Sequence, residues 1–79
     1  MVTSGRTLRT VLGLQVRRLR GEAGLTQEQL AGRARLASRH LQKIEAGEVN
    51  LTLATLERLA QALQVNAASL LEPPPARGD

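Results

Sequence analysis

Leucine and alanine recur every three or four residues through most of this chain, and no other property limits its fold as strongly. A first helix is predicted over residues 7–22, with an apolar stripe at helical spacing: Leu8, Leu12, Val16, Leu19 and Ala23. The chain contains no Phe, Trp or Tyr. Leucine and alanine favour helices, whereas aromatic and β-branched residues favour strands. The pattern therefore predicts an all-α fold.

The size of the chain and its lack of cysteine indicate how such a fold is stabilised. It has 79 residues and no cysteine, so neither a disulfide nor a thiolate metal site is expected. One small domain follows, stabilised by apolar packing and helped by any partner subunit. No stretch of the sequence is long and apolar enough for a signal peptide or a membrane span. An intracellular protein with no membrane partner is expected.

Positive charge is concentrated toward the N-terminal third. The chain has 11 basic and 7 acidic residues, for a net charge of +4. Residues 1–20 contain no acidic residue and five arginines: Arg6, Arg9, Arg17, Arg18 and Arg20. This balance favours nucleic acid or an anionic membrane as a partner, although a solvated basic surface has the same composition.

Capping residues indicate where the later helices begin. Thr26 precedes a second helix and fits a Thr-x-x-Gln capping box with Gln29. Thr52 is predicted to cap a helix over residues 53–63, and Asn66 a short final helix. The inward residues of the helix over 53–63 are predicted from its spacing: Leu53, Leu56, Leu59, Ala60 and Leu63.

The domain itself is predicted over residues 7–72. Residues 1–6 are expected to be a flexible N-terminus. The prolines of residues 73–79 predict a disordered tail. Gly24 and Gly47 are expected to end the first and third helices.

Residues 27–46 could form one helix or two, because residues 34–45 contain neither glycine nor proline. On a single helix, Leu36 would lie about 200° from Ala34 and face water. A break at Arg35 and Leu36 turns the leucine inward, which contributes roughly 1.5–3 kcal/mol. Two short helices are therefore predicted.

The second of these short helices has a polar outward face. Its buried side is predicted to contain Ala37, Leu41 and Ile44. The opposite face then carries Ser38 at its edge, Arg39, Gln42 and Lys43. Arginine, glutamine and lysine can each pair with base edges in the major groove. From the residues alone, a merely solvated face remains the alternative.

Residues 20–63 resemble the XRE-type helix-turn-helix family of phage repressors, Cro proteins and small bacterial regulators. The matching pieces are GLTQEQLA, the L-x-x-I-E-x-G of residues 41–47 and the L-x-x-L-x-x-L-A-x-A-L of residues 53–63. They occur in the family's order and spacing over more than half of the chain. The resemblance implies a compact five-helix domain with its helix-turn-helix at helices two and three, the third lying in the major groove.

The resemblance also implies roles for individual residues. The positions that read bases in the family correspond to Ser38, Arg39 and Lys43, with Gln42 adjacent. Phosphate contacts are implied for Gln27, Thr26, Arg35, Asn50 and Thr52. Arg20 and Glu45 match a pair that forms a buried salt bridge between helices one and three. This chain departs from the family at Arg35, where glycine is usual, and at Ala37, where a Ser or Thr N-cap is usual.

Together these features predict a sequence-specific regulator that binds double-stranded DNA as a homodimer on a (pseudo)palindromic operator. Dimerisation is expected through Val65, Leu70 and Leu71 of the final segment. The short chain is similar to the controller proteins of restriction–modification systems, and Cro-like regulators fit as well. A bacterial or phage protein of the cytoplasm, associated with the nucleoid, is implied.

Two other classes of function are alternatives to this prediction. The first is a helix-turn-helix module, such as an antitoxin, that binds another protein and has little affinity for DNA. The second is an enzyme, which is disfavoured because the single histidine, His40, has no cysteine or paired carboxylates to work with. No metal, cofactor or small-molecule ligand is expected. Single-stranded nucleic acid is also disfavoured, because the chain lacks aromatic stacking residues.

Overall fold

A computed structural model describes residues 7–73. They form four α-helices and a short 3₁₀ helix: α1 (Leu8–Glu22), α2 (Gln27–Ala34), α3 (Ser38–Glu45), α4 (Leu53–Leu63) and the 3₁₀ helix Ala67–Leu71. This described range contains no strand, in line with the all-α prediction. The predicted flexible N-terminus 1–6 lies outside the described residues, and so does the predicted Pro-rich tail apart from Pro73.

The helices begin where the capping residues predict. In the capping box, the Gln29 amide donates to Thr26 Oγ1 at 3.0 Å and the Thr26 amide donates to Gln29 Oε1 at 2.8 Å. Thr52 Oγ1 accepts from the Thr55 amide at 3.1 Å and starts α4. Gly24 and Gly47 have the positive φ values, 72° and 74°, that are typical of residues following a helix end.

The fifth helix of the expected five is a 3₁₀ helix, not an α-helix. Asn66 caps it as predicted, with its side chain accepting from the Ala68 amide. The Ser69 amide donates to the Asn66 carbonyl at 2.9 Å, an i to i+3 bond. Only five residues are available before Glu72, which is extended and precedes Pro73. A residue before proline disfavours the helical region, so the segment cannot lengthen into an α-helix.

The chain breaks between α2 and α3 at the predicted place. Arg35 adopts φ 60° and ψ 44°, a left-handed conformation. The Leu36 amide donates to the Ala31 carbonyl at 2.8 Å, which closes the end of α2. Leu36 is half-buried and packs against the core, so the apolar argument for two helices is confirmed. Gln64 ends α4 with nearly the same dihedral angles, a conformation that was not predicted from the sequence.

One core joins all five elements. α1 packs on α3 and on the 3₁₀ helix, while α2 packs on α3 and α4. The largest fully buried side chains are Val16, Leu30, Leu41, Ile44, Leu59 and Leu70. Leu70 was predicted to belong to a dimer surface, and that prediction is wrong. The 3₁₀ helix packs back onto α1 and buries the Leu70 side chain completely.

Four apolar residues predicted to face inward are exposed. Leu8 is 63% exposed and Leu53 is 76% exposed. Each is the first residue of its helix, so the apolar stripe continues past the edge of the core. Ala37 is exposed as the N-cap residue that precedes α3, and Ala23 is exposed as the C-cap residue that follows α1. None of the helices in residues 7–73 is both long and apolar enough to span a bilayer.

Candidate nucleic-acid interface

α3 presents a polar, basic face to solvent. Its buried side consists of Leu41 and Ile44. The opposite side exposes Arg39, Gln42 and Lys43, and Ser38 is half-buried at the N-terminal edge. Among residues 7–73, no acidic group pairs with Arg39 or Lys43. A guanidinium, an amide and an ammonium are therefore available to a ligand within two helical turns.

A buried polar cluster fixes α3 to α1 and to the start of α2. Arg20 Nε donates to Glu45 Oε2 at 2.7 Å, and Arg20 Nη2 donates to Glu45 Oε1 at 3.1 Å. Gln27 Nε2 donates to the same Oε1 at 2.9 Å. The Glu45 side chain is only 4% exposed and that of Arg20 19%. The salt bridge expected between Arg20 and Glu45 is thus present, and Gln27 joins it.

This cluster favours the charged form of Arg20. The hydrogen bond to Glu45 raises the pKa of Arg20 above its usual value, and the carboxylate charge acts in the same direction, while burial opposes both. Because the pKa of Arg20 is higher in the folded state than in the unfolded state, its charge stabilises the fold at every pH below the unfolded-state pKa. This stabilisation is lost only as the pH rises through the folded-state pKa. Because that window lies at strongly alkaline pH, the contribution of the Arg20 charge is constant at neutral pH.

The backbones of α1 and α3 approach so closely that only glycine fits at the crossing. A Cβ atom at Gly13 would lie 2.6 Å from the Ile44 carbonyl oxygen and 2.7 Å from that of Glu45. This residue was not among those predicted from the sequence. The sequence contained one signal for this residue, a glycine inside a helical pattern. Such a glycine costs about 1 kcal/mol relative to alanine, so its presence indicates a requirement of packing. Gly13 sets the depth at which α3 sits against α1.

Further contacts that sequence reasoning missed hold the ends of the helices. Arg58 Nε on α4 donates to the Ala34 carbonyl at 3.0 Å, which caps the C-terminal end of α2. Buried Gln15 donates to the Ser69 carbonyl at 3.1 Å and so attaches the 3₁₀ helix to α1. Both contacts join residues far apart in the chain, and no local spacing indicates them.

The residues expected to contact phosphate differ in which hydrogen-bond donors they have available. Gln27 uses one amide hydrogen on Glu45 and retains a second. Thr26 accepts from Gln29, which leaves its hydroxyl hydrogen to donate. Thr52 donates its hydroxyl to Thr55 Oγ1 at 3.1 Å, so only its backbone amide is left for a ligand. Arg35 and Asn50 are exposed, in the turn before α3 and in the loop that follows it.

Two surface depressions lie beside these residues. A polar one of about 420 Å³ is lined by Arg17, Arg20, Gln27, Gln42, Glu45 and Ala46. An apolar one of about 330 Å³ is lined by Leu8, Arg9, Leu12, Asn50, Leu51, Thr52, Leu53, Leu56 and Leu71. No group of three His, Cys, Asp or Glu side chains within residues 7–73 is arranged to hold a metal ion.

A short helix with an exposed Arg-Gln-Lys face, held from behind by a buried ion pair, is an arrangement that can donate hydrogen bonds to a nucleic acid. Residues 11–72 match the helix-turn-helix domain family, and the chain belongs to that family. Relatives of the chain include transcriptional regulators and a phage immunity repressor.

Particular relatives are similar along most of the chain. An uncharacterised HTH-type transcriptional regulator of Sinorhizobium fredii is 41% identical over 66 residues, covering 84% of this chain and 86% of the relative. The crystal structure of the hypothetical transcription factor NHTF from Neisseria superimposes with a TM-score of 0.84 at 34% identity, covering 94% of this chain and 85% of that one. The restriction-modification controller protein C.AhdI from Aeromonas hydrophila gives a TM-score of 0.76 at 32% identity, covering 78% and 94%.

Proposed function

We propose that this protein is a sequence-specific regulator of transcription in which α2 and α3 form the helix-turn-helix and α3 enters the major groove. The observation that carries the proposal is the outward face of α3, which exposes Arg39, Gln42 and Lys43. Arg39 suits guanine O6 and N7, Gln42 suits adenine N6 and N7, and Lys43 suits guanine or phosphate. Ser38 adds a hydroxyl at the N-terminal edge, where recognition helices contact bases.

Phosphate contacts would orient this face on the duplex without reading its sequence. We assign them to Thr26 and Gln27 at the start of α2, to Arg35, and to the loop containing Asn50 and Thr52. Thr52 would use its backbone amide, because its hydroxyl is bonded to Thr55. These contacts predict affinity that falls as salt rises, with log K changing by about −0.9 for each neutralised phosphate per unit of log salt.

A homodimer completes the proposal, because one such module reads only a few base pairs. Leu70 is buried and takes no part, Val65 is half-buried, and Leu71 is 37% exposed. Leu71 lines the apolar depression together with exposed Leu8 and Leu53. In a two-fold contact, each copy contributes the same surface, so the exposed leucines of one copy pack into the depression of the other. We therefore place the dimer surface at this depression.

The similarity to a restriction-modification controller protein favours a controller-type role, in which a small dimer binds an operator in promoter DNA. Two half-sites about one helical turn apart, roughly 34–36 Å, are then expected. The loop containing Asn50 and Thr52 lines the apolar depression as well. The dimer surface and one set of phosphate contacts would thus adjoin each other.

Selection of bound sites from random duplex DNA tests the proposal. The expected result is an enriched site with two-fold symmetry and half-sites one turn apart. A selection repeated with Gln42→Ala should relax the preference at one position in each half-site and leave the rest unchanged. Enriched sites without symmetry would contradict the homodimer. Failure to enrich any site, with no salt-sensitive binding to duplex DNA, would instead indicate a protein-interaction module such as an antitoxin.

A further inference from the structure

The polar depression between α1, α2 and α3 contains one cation that the buried cluster does not neutralise. Arg20 and Glu45 line this depression and compensate each other's charge at 2.7 Å. Arg17 lines the same depression, is exposed, and has no acidic partner among the residues that the structure describes. The depression therefore carries one uncompensated positive charge, that of Arg17.

The position of Arg17 follows from the close crossing of α1 and α3. Gly13 contacts the backbone of Ile44 and Glu45, and Arg17 lies one helical turn further along α1. Its side chain therefore borders Gln42 and Ala46 of α3, which line the depression with it. The adjacent Arg18 is committed elsewhere, donating to Gln15 at 2.9 Å and to Glu22 at 2.7 Å. Of these two neighbouring arginines, it is therefore Arg17 that extends the basic face of α3 onto α1.

We propose that Arg17 binds a phosphate of the DNA backbone at the edge of the major groove that α3 occupies. This inference rests on the function proposed above. A guanidinium can donate two parallel hydrogen bonds to the oxygens of one phosphodiester. The second amide hydrogen of Gln27 provides a neutral donor in the same depression. Bound in this way, Arg17 fixes the orientation of α3 and carries no sequence preference of its own.

A purely structural role for Arg17 gives a different set of results. Arg17 lies near the C-terminal end of α3, where a cation interacts favourably with the helix dipole. Removing a residue with only that role would lower the melting temperature and leave the salt dependence of DNA binding as it was. The experiment therefore measures both quantities on the same variants.

The test is a fluorescence-anisotropy titration of a labelled mixed-sequence duplex at several salt concentrations. Arg17→Gln should weaken binding and make the slope of log K against log salt shallower by about 0.9 for each bound subunit. Arg17→Lys should keep the slope, since it keeps the charge. Arg33→Gln is the matched control: Arg33 is also exposed, lines neither depression and should leave the slope unchanged.

The outcomes separate this inference from the function on which it rests. If the unsubstituted protein shows no salt-dependent binding, the proposed function fails and this inference fails with it. If it binds, but Arg17→Gln has the same slope as Arg33→Gln, only the role of Arg17 is overturned. A lower melting temperature with an unchanged slope would overturn it too, in favour of the structural role at the end of α3. If Arg17→Gln loses affinity only for the selected operator and keeps the slope of log K against log salt, Arg17 contacts a base, and the proposed phosphate contact is overturned.

Discussion

Arg35 adopts backbone dihedral angles that cost a residue with a Cβ atom about 1–2 kcal/mol relative to the right-handed region. Its φ of 60° is required to turn the chain from α2 into α3. The family resemblance places a glycine at this position, and the structure shows why glycine is suited to it. The Arg35 side chain is exposed, so no packing interaction offsets the strain.

Arg35→Gly should leave stability unchanged or raise it by up to about 1 kcal/mol, because relief of strain exceeds the extra entropy of glycine in the unfolded chain. Thermal unfolding followed by circular dichroism measures the change. Arg33→Gly is the control, since it removes the same charge two residues earlier, inside α2, and should cost about 0.5–1 kcal/mol. Equal losses in the two variants would contradict the left-handed turn.

Arg20 and Glu45 should be strongly coupled, because removal of either side chain leaves the charge of the other without a partner. Replacing either one alone by alanine should cost about 3–5 kcal/mol, and replacing both should cost clearly less than the sum. Gln27→Ala should cost less, about 1.5–3 kcal/mol, because only one hydrogen bond to a charged group is lost. Urea denaturation of the double-mutant cycle measures the coupling. Additive costs would show that the two side chains do not stabilise each other.

At the scale of the helices, the sequence predicted the segments well because capping and apolar spacing are local properties. α4 has the predicted bounds of residues 53–63, and Leu36 correctly indicated the break after α2. The sequence could not show how far the core extends along a helix, and so it misplaced Leu8 and Leu53. Long-range contacts, such as that of Arg58 with the carbonyl of Ala34, depend on how the helices pack and have no local signature.

In the candidate site, too, the features that depend on local spacing were predicted and those that depend on helix packing were not. The exposed face of α3 followed from helical geometry once Leu41 and Ile44 were predicted to be buried. The partnership of Arg20 with Glu45 came from the family resemblance, since spacing alone indicated only that Glu45 borders the buried side. The role of Gly13 emerged only when α1 and α3 were seen to cross there.

The crossing of α1 and α3 should be intolerant of even one added methyl group. Gly13→Ala places a Cβ atom against two carbonyl oxygens of α3, so the helices must separate at a cost of about 1–3 kcal/mol. Gly32→Ala is the matched control on α2, where a Cβ atom meets nothing within 4 Å, and should stabilise by about 0.5–1 kcal/mol. Chemical denaturation measures the free energy of unfolding of both variants, which should fall for Gly13→Ala and rise for Gly32→Ala. A Gly13→Ala variant as stable as Gly32→Ala would contradict the close approach.

At the scale of the whole molecule, the proposed dimer depends on leucines that the folded monomer does not need. Leu53 is 76% exposed, so Leu53→Glu should change monomer stability by no more than about 0.5 kcal/mol. The same change should weaken the dimer, because a carboxylate would be buried in its apolar surface. Sedimentation equilibrium measures the dissociation constant.

Gln61→Glu is the control for the dimer surface. Gln61 is exposed on α4, does not line the apolar depression, and should leave association unchanged. A dimer equally stable in both variants would place the two-fold contact elsewhere. An unsubstituted protein that stays monomeric, even with operator DNA, would contradict dimerisation altogether.

The central claim is that the outward face of α3 reads base pairs, and comparing Arg39→Ala with the unsubstituted protein tests it most directly. The measurement is an anisotropy titration against a selected operator and a scrambled duplex at fixed salt. The unsubstituted protein should prefer the operator, and Arg39→Ala should lose about 1–3 kcal/mol of that preference for each half-site. Its melting temperature should not change, because Arg39 is exposed. No preference in the unsubstituted protein, or the same preference in both proteins, would contradict the claim.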